Sequence, residues 1–361
     1  MSDAYAASGV DTTQSDSGVN ALVAVLKTIE TGKPSLSALA SGHYASVLRV
    51  APNLGIAVAT DGVGSKLIVA EETGRLDTVG IDCIAMNVND LVCVGAEPIA
   101  MLDYLAVQEP DDARLAAIAQ GLKVGAMDAG IEIPGGELAV LPELIKGHPD
   151  PHGFDLCGTA IGTVALDEMV TGERIQPGDA LIGLPASGIH SNGYTLARKA
   201  LQQDGGLELD DRPEELDGLS VADVLLEPTV IYVRAVLDLL RSGVEVRGLS
   251  HITGGGLLNL VRLGVVGAPP ELKDGRLGFE ITDPLPLPAV MPLIQRLGNV
   301  SEQEMWEVFN MGCGFVAVVE ERSVDAAVAV LEKRHPGTRR IGTVTDRPGV
   351  CTAPGGVLLQ G

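Results

Sequence analysis

Apolar and polar positions fall into short blocks along the chain, and the block lengths predict single strands separated by helices. Residues 1–50 are small and polar, with one amphipathic stretch from Val19 to Thr31. At Gly55 the texture changes: Gly-Ile-Ala-Val-Ala-Thr is an apolar run that predicts a strand, and it ends abruptly in Asp61-Gly62. Ile84 to Val94 has apolar residues at helical spacing, interrupted by Asn87, Asn89 and Asp90. Ile99 to Val107 predicts a strand. Asp111 to Ala129 predicts an amphipathic helix, with Asp111 and Asp112 at its start, Leu115, Ile118 and Leu122 on one face, and Gly130 as its stop. Phe154 to Ala165 predicts another strand. Thr171 to Asp179 has turn chemistry and no periodicity, which sets a domain boundary there. The expected division is an N-terminal segment, 1–50, a first domain, 51–170, and a second domain, 171–361.

The second half repeats the mixture. Ala180 to Leu184 predicts a strand, Pro185 to Gly193 a loop, and Tyr194 to about Gln203 a helix. Gln203 to Ser220 is acidic and glycine-rich, an exposed loop. Helices are predicted for Thr229 to Arg241, Gly255 to Leu263 and Val324 to Arg334, and strands for Phe315 to Glu320 and Arg340 to Val344. Residues from Arg347 onward read as a tail or a last edge strand. The strands do not follow a strict parallel alternation, so the fold class is α+β, with sheets covered on one face by helices.

Composition narrows the functional classes. The 361 residues are 46% hydrophobic and 20% charged, which excludes disorder. Against 48 acidic side chains stand 25 basic ones, a formal charge of −23. That excess argues against non-specific nucleic-acid binding and against attachment to an anionic membrane. Neither a secretory signal nor an apolar run long enough to span a membrane is expected. Five widely spaced cysteines with no Cys-x-x-Cys pair point to a reducing cytoplasm. A phosphate ligand would meet an overall repulsive field, so its site must be built locally from backbone amides, a few cations or metal ions.

The chemistry-bearing residues stand at the junctions of apolar elements. In Thr60 to Lys66, Asp61 ends a strand, Gly62 and Gly64 permit close backbone approach, and Lys66 opens a helix; such a turn can cradle phosphate oxygens, and a plain glycine-rich turn fits equally. Asn87, Asn89 and Asp90 interrupt an apolar helix, either capping backbone groups or, in the case of Asp90, sharing a magnesium ion with Asp61. Glu137 follows Gly135 and Gly136 and is either a third metal carboxylate or a solvated turn residue. His190, Ser191 and Asn192 sit in a loop feeding a helix, where the histidine could contact phosphate, transfer a proton or be structural. Thr253 is followed by Gly254, Gly255 and Gly256 at a helix start, a nest of amides suited to phosphate. Asn310 precedes a strand. Together these features suggest an enzyme that binds two phosphorylated molecules and magnesium. The absence of Gly-x-Ser-x-Gly and His-Glu-x-x-His argues against a serine hydrolase or a zinc enzyme.

In this order, TDGVGSK (60–66), GIDCIAMNVNDLVCVGAEP (80–98), GGE (135–137), ASGIHSNGYTLARK (186–199), LEPTVIYV (226–233), HITGGG (251–256) and GNVSEQEMWEVFNMGCG (298–314) resemble the aminoimidazole ribonucleotide synthetase family, the phosphoribosylformylglycinamidine cyclo-ligases of purine biosynthesis. The resemblance implies a two-domain α+β fold whose N-terminal four-stranded sheet forms a barrel-like core across a homodimer. It implies ATP-dependent phosphorylation of the formamide oxygen of formylglycinamidine ribonucleotide, ring closure by the amidine nitrogen, and release of ADP and phosphate. Carried onto this chain, it puts Asp61, Asp90 and Glu137 on Mg2+, and Lys27, Gly62, Gly64, Lys66, Gly135 and Gly136 on nucleotide phosphates. It puts Ser191, Asn192, Thr253 to Gly256 and Asn310 on the ribonucleotide, with His190, Asp61 and Asp90 as the catalytic set. The family's glycine-rich segment before the Asp-Gly-Val-Gly strand reads Ser41 to Ser46 here. Alternatives are a related phosphotransferase, of the thiamine monophosphate kinase or selenophosphate synthetase type, and a catalytically silent paralogue. The selenophosphate type would need a reactive N-terminal cysteine, and the first cysteine is Cys83.

Overall fold

A computed structural model describes residues 12–39, 42–265 and 275–360. Helix α1, Thr12–Leu26, covers only the first part of the predicted stretch Val19 to Thr31 and begins before it, and its apolar side chains Val19, Leu22 and Val25 stay exposed.

The first sheet holds β1 (Ser46–Ala51), β2 (Leu54–Gly62), β3 (Glu97–Val107), β4 (Glu132–Val140) and β5 (Phe154–Ala165), in the order β1-β2-β5-β3-β4. It has five strands rather than the expected four, and within the single chain it is open. Two of the strands lie in segments whose sequence reads as at least partly irregular. β1 begins inside the small, polar N-terminal stretch, and β4 continues straight through Gly135, Gly136 and Glu137. β3 and β4 are parallel and are therefore joined by a crossover helix, α4 (Asp112–Ala129). Its ends are those the sequence predicts. The Asp111 side chain accepts from the Arg114 amide at 2.8 Å, and Gly130 closes the helix in the left-handed conformation.

Between β2 and β3 lie α2 (Lys66–Thr73) and α3 (Val79–Cys93). Helix α3 is apolar nearly all round because it is covered on both sides. One side packs on the inner face of the first sheet, where Ala57, Ala59, Met101, Leu156 and Ala160 are buried. The other side meets the second half of the chain at β7 and α7. Along β5 burial alternates strictly, with Leu156, Gly158 and Ala160 inward and Cys157, Thr159 and Ile161 outward and only half covered. The outer face also exposes Leu48, Leu102 and Tyr104.

The second sheet has seven strands, β6 (Ala180–Pro185), β7 (Val246–His251), β8 (Gly278–Ile281), β9 (Cys313–Val319), β10 (Arg339–Thr345), β11 (Val350–Ala353) and β12 (Val357–Gln360), in the order β12-β11-β8-β10-β6-β9-β7. The expected tail is thus the β11–β12 hairpin at one edge. The helices are α5 (Tyr194–Arg198, continued by a wider turn to Asp204), α6 (Val221–Leu225), α7 (Val233–Arg241), α8 (Val261–Val265), α9 (Val290–Leu297), α10 (Glu302–Val308) and α11 (Val324–Leu331). Helix α7 starts four residues later than predicted because the backbone before it is engaged elsewhere: the Thr229 and Tyr232 amides donate to Asp82 and Asn89 of α3.

Candidate active site

The site forms where the C-terminal end of β2 meets α3 and β7. Asp61 ends the strand, and its carboxylate accepts from the Gly62 amide at 2.7 Å. Asn87 of α3 fastens this corner by donating to the carbonyls of Asp61 (3.1 Å) and Cys83 (2.8 Å), while its own Oδ1 is buried with no partner among the described residues. One turn on, Asp90 accepts from His251 Nδ1 at 2.9 Å. His251 Nε2 lies 3.4 Å from Asn89 Nδ2, which can only donate, so Nε2 of the fully buried ring accepts there and Nδ1 donates to Asp90. Asn89 is satisfied at both ends, giving a hydrogen to the Val230 carbonyl and accepting from the Tyr232 amide. Burial, with Asp90's negative charge adding to it, raises the pKa of Asp61 above the usual carboxylate range. The structure therefore brings Asp61 and Asp90 into one electrostatic neighbourhood, and the sequence had missed the histidine that orients the second of them.

Glu137 does not join this pair. Cross-strand neighbours share a face of the sheet, and Asp61, Gly158, Asp103 and Gly136 form one row across β2, β5, β3 and β4. Glu137 lies in the next row, with Tyr104, Cys157 and Gly62, and alternation turns it to the opposite face. Among the described residues no three metal-type side chains converge. The carboxylate on Asp61's own face is Asp103, which the sequence reading passed over inside an apolar strand. Its Oδ1 lies 2.3 Å from where a β-carbon on Gly136 would stand, so the glycine there makes room for Asp103.

Lys66 also departs from expectation. It is fully buried, 2.9 Å from both oxygens of the equally buried Asp82, and it donates to the carbonyls of Glu227 (2.7 Å) and His190 (3.3 Å). An ammonium has three hydrogens, so none is left for a phosphate. What the turn leaves open is its backbone: the amides of Gly64 and Ser65 have no acceptor among the described residues. Lys27 lies exposed beyond the end of α1, and the structure joins it to none of the other predicted residues.

His190 is buried in a left-handed conformation, with Nε2 accepting from the Ser187 amide at 3.3 Å and Nδ1 unpartnered. Desolvation, with the Lys66 charge adding to it, pushes its pKa well below the ordinary value, so the ring is neutral. It shapes the loop, and a proton donor of imidazolium type is not available there. Ser191 donates to Thr229 Oγ1 at 3.1 Å, because that hydroxyl already donates to Asp82. Asn310 is buried and used on backbone, giving a hydrogen to the Gly188 carbonyl and accepting from the Gly312 amide. Asn192 and the glycine turn do come together: Asn192 Oδ1 lies 3.1 Å from where a β-carbon on Gly254 would stand. In that turn Gly255 and Gly256 have φ of 94° and 53°, which side chains rarely adopt, and the amides of Gly254 and Gly255 have no acceptor among the described residues. The structure thus pairs Asp61 with Asp90, sets the loop of Ser191 and Asn192 against both glycine turns, and leaves Glu137, Lys27 and the Lys66 ammonium out of that set.

Comparison with known proteins gives the same outline. The profile described as AIR synthase related protein, N-terminal domain, matches residues 42–164, and the one described as AIR synthase related protein, C-terminal domain, matches residues 176–352. The chain is 46% identical to the phosphoribosylformylglycinamidine cyclo-ligase of Pyrococcus furiosus over 98% of both chains. It is 47% identical to that of Thermococcus gammatolerans over 98% of this chain and 99% of the other. Among solved structures, the hydrogenase maturation protein HypE in complex with ATP superposes with a TM-score of 0.58 at 20% identity, covering 91% of this chain and 89% of that one. AaThiL complexed with AMPPCP and TMP gives 0.58 at 14%, covering 88% and 91%. The chain belongs to the AIR synthase family and, within it, to the phosphoribosylformylglycinamidine cyclo-ligases.

Proposed function

We propose that the protein uses ATP to cyclise formylglycinamidine ribonucleotide to aminoimidazole ribonucleotide, releasing ADP and phosphate, in de novo purine synthesis. The observation that carries this reading is that one loop touches two turns whose amides have no acceptor among the described residues: the Ser191 carbonyl lies 4.0 Å from where a β-carbon on Gly64 would stand, and Asn192 Oδ1 lies 3.1 Å from where one on Gly254 would stand. One turn suits the nucleotide phosphates and the other the phosphate of the ribonucleotide. The γ-phosphoryl group passes to the formamide oxygen, the amidine nitrogen attacks the activated carbon, the carbon–oxygen bond breaks, and inorganic phosphate departs. Most of the catalysis is alignment of the two substrates, for which amides on rigid elements are suited.

Magnesium fits this site through two carboxylates rather than three. Burial and the charge of Asp90 raise the cost of ionising Asp61, which a divalent cation relieves, and Mg2+ is commonly held by one or two carboxylates with substrate phosphates completing its shell. When bound, it neutralises phosphate charge. His251 fixes Asp90 for that task, and Asn87 fixes the corner carrying Asp61. The outer face of the first sheet, with Leu48, Leu102 and Tyr104 exposed, supports a homodimer built face to face with a second copy. Leu102→Glu, at the centre of that face, should convert a dimer to a monomer in light scattering. No described helix is long and apolar enough to cross a membrane, and the unpaired cysteines agree with cytoplasmic residence.

The test is ADP release by purified protein with Mg2+ and each candidate acceptor. Release that depends on formylglycinamidine ribonucleotide supports the assignment. Release with thiamine monophosphate or selenide instead, or none with any acceptor, sinks it in favour of the related phosphotransferases or the silent paralogue.

A further inference from the structure

The segment entering β1 reads Gly42-His43-Tyr44-Ala45 where the resemblance leads one to expect a glycine-rich turn. Tyr44 reaches across to the second half of the chain. Its hydroxyl lies 2.6 Å from Ser250 Oγ and 3.1 Å from the main-chain carbonyl of Asn259. A carbonyl can only accept, so the tyrosine proton goes to Asn259 and the fully buried Ser250 donates to the tyrosine oxygen. The guanidinium of Arg262 covers the ring at 5.3 Å.

Both partners belong to the machinery. Ser250 immediately precedes His251, which holds Asp90. Asn259 is buried and its carboxamide gives its hydrogens to the carbonyls of Gly256 (2.9 Å) and Gly254 (3.1 Å), with Thr253 O at 3.5 Å. Those contacts tie down carbonyls of the glycine turn, while the Gly254 and Gly255 amides have no acceptor among the described residues. One hydroxyl therefore steadies both the strand end that orients Asp90 and the residue that shapes the amide turn.

We propose that Tyr44 is a positioning residue for the glycine turn that holds the ribonucleotide phosphate, acting through Asn259 and Ser250. The inference rests on the cyclo-ligase reading for the identity of that ligand. Tyr44→Phe keeps the ring and its contact with Arg262 and deletes only the hydroxyl, and Ser250→Ala removes the other partner should the first variant fold poorly. With the hydroxyl gone, a buried carbonyl and a buried serine lose their partner, and the KM for formylglycinamidine ribonucleotide should rise about five- to tenfold. The kcat and the KM for ATP should stay within about twofold, a split that general destabilisation does not produce. The dissociation constant of ribose 5-phosphate, measured by calorimetry, should rise in parallel, and this arm decides Tyr44 even if the wild-type protein turns out to act on another substrate. Unchanged ribose 5-phosphate binding in the variants, no binding by the wild type, or an equal rise in the KM for ATP would each overturn the proposal. A wild type that binds ribose 5-phosphate yet releases no ADP would instead overturn the cyclo-ligase reading alone.

Discussion

Replacing Lys66 separates two accounts of this site. In one, the lysine that follows Asp-Gly-Val-Gly-Ser grips a phosphate. In the other, it pins the two halves of the protein together. The structure supports the second: Lys66 and Asp82 have no exposed side-chain surface, and the ammonium also holds the carbonyls of His190 and Glu227. Lys66→Met keeps the length and removes the charge. It leaves Asp82 buried, still accepting from the Thr229 amide and hydroxyl but without its counter-charge. Breaking a buried pair from one side costs about 3–5 kcal/mol. With an unfolding entropy of about 2.1 cal/mol/K per residue, both halves melting together, that loss lowers Tm by roughly 4–7 °C. Lys66→Met combined with Asp82→Asn removes both charges, and its loss should be clearly smaller than the sum of the two single losses. Scanning calorimetry measures these shifts, and the KM for ATP is measured below the new Tm. A Lys66→Met protein that melts with the wild type but shows a KM for ATP raised by an order of magnitude would refute the reasoning and return the lysine to the phosphates.

The remaining predictions concern charge and pH. Asp61→Asn and Asp90→Asn should each lower kcat/KM by about two orders of magnitude or more while circular dichroism stays unchanged, since each removes a carboxylate placed to hold the magnesium ion that balances phosphate charge; wild-type turnover in both would remove the magnesium assignment. Glu137→Gln should leave turnover within about twofold of wild type, whereas Asp103→Asn should lower it by tenfold or more, since only Asp103 shares the face of Asp61; the reverse ranking in a steady-state assay would show that the sheet register misplaces the site. His190 is held well below the ordinary histidine pKa of 6.5 by burial, and His335 is lowered to about 4 mainly by the same cause. The unfolded chain takes up protons at these rings below 6.5 and the folded chain does not, so stability is full above that value and falls as pH drops toward 4, with a slope of about 1.4 kcal/mol per pH unit for each ring kept neutral. Asp61 and Glu71, whose values are raised by burial, act in the opposite sense at the acid end. Comparing wild type with His335→Gln in melts from pH 7 to 4.5 isolates one ring, and identical pH profiles would contradict its assignment.

What the sequence discloses here is set by the distance over which each property is decided. The start and stop of α4 rest on Asp111 and Gly130, local chemistry that reads directly from the chain. The charge on Lys66 is equally visible, but its partners are not: Asp82 is sixteen positions away and the carbonyl of Glu227 is 161. The same holds for Glu137 and Asp103. A run of Gly-Gly-Glu reads as a loop carboxylate, and only the pairing of β4 with β3 shows that alternation turns Glu137 outward and Asp103 inward. His251 stood beside a recognised glycine turn, yet its role depends on a helix 161 residues earlier in the chain. The charge of −23 belongs to this argument as well. An excess of acid excludes phosphate sites only if cations must build them. Here the lysine at the turn is consumed internally, while the amides of Gly64, Ser65, Gly254 and Gly255 have no acceptor among the described residues. Amides carry no net charge and cannot be counted in a composition, so an acidic chain can present phosphate sites without altering its balance.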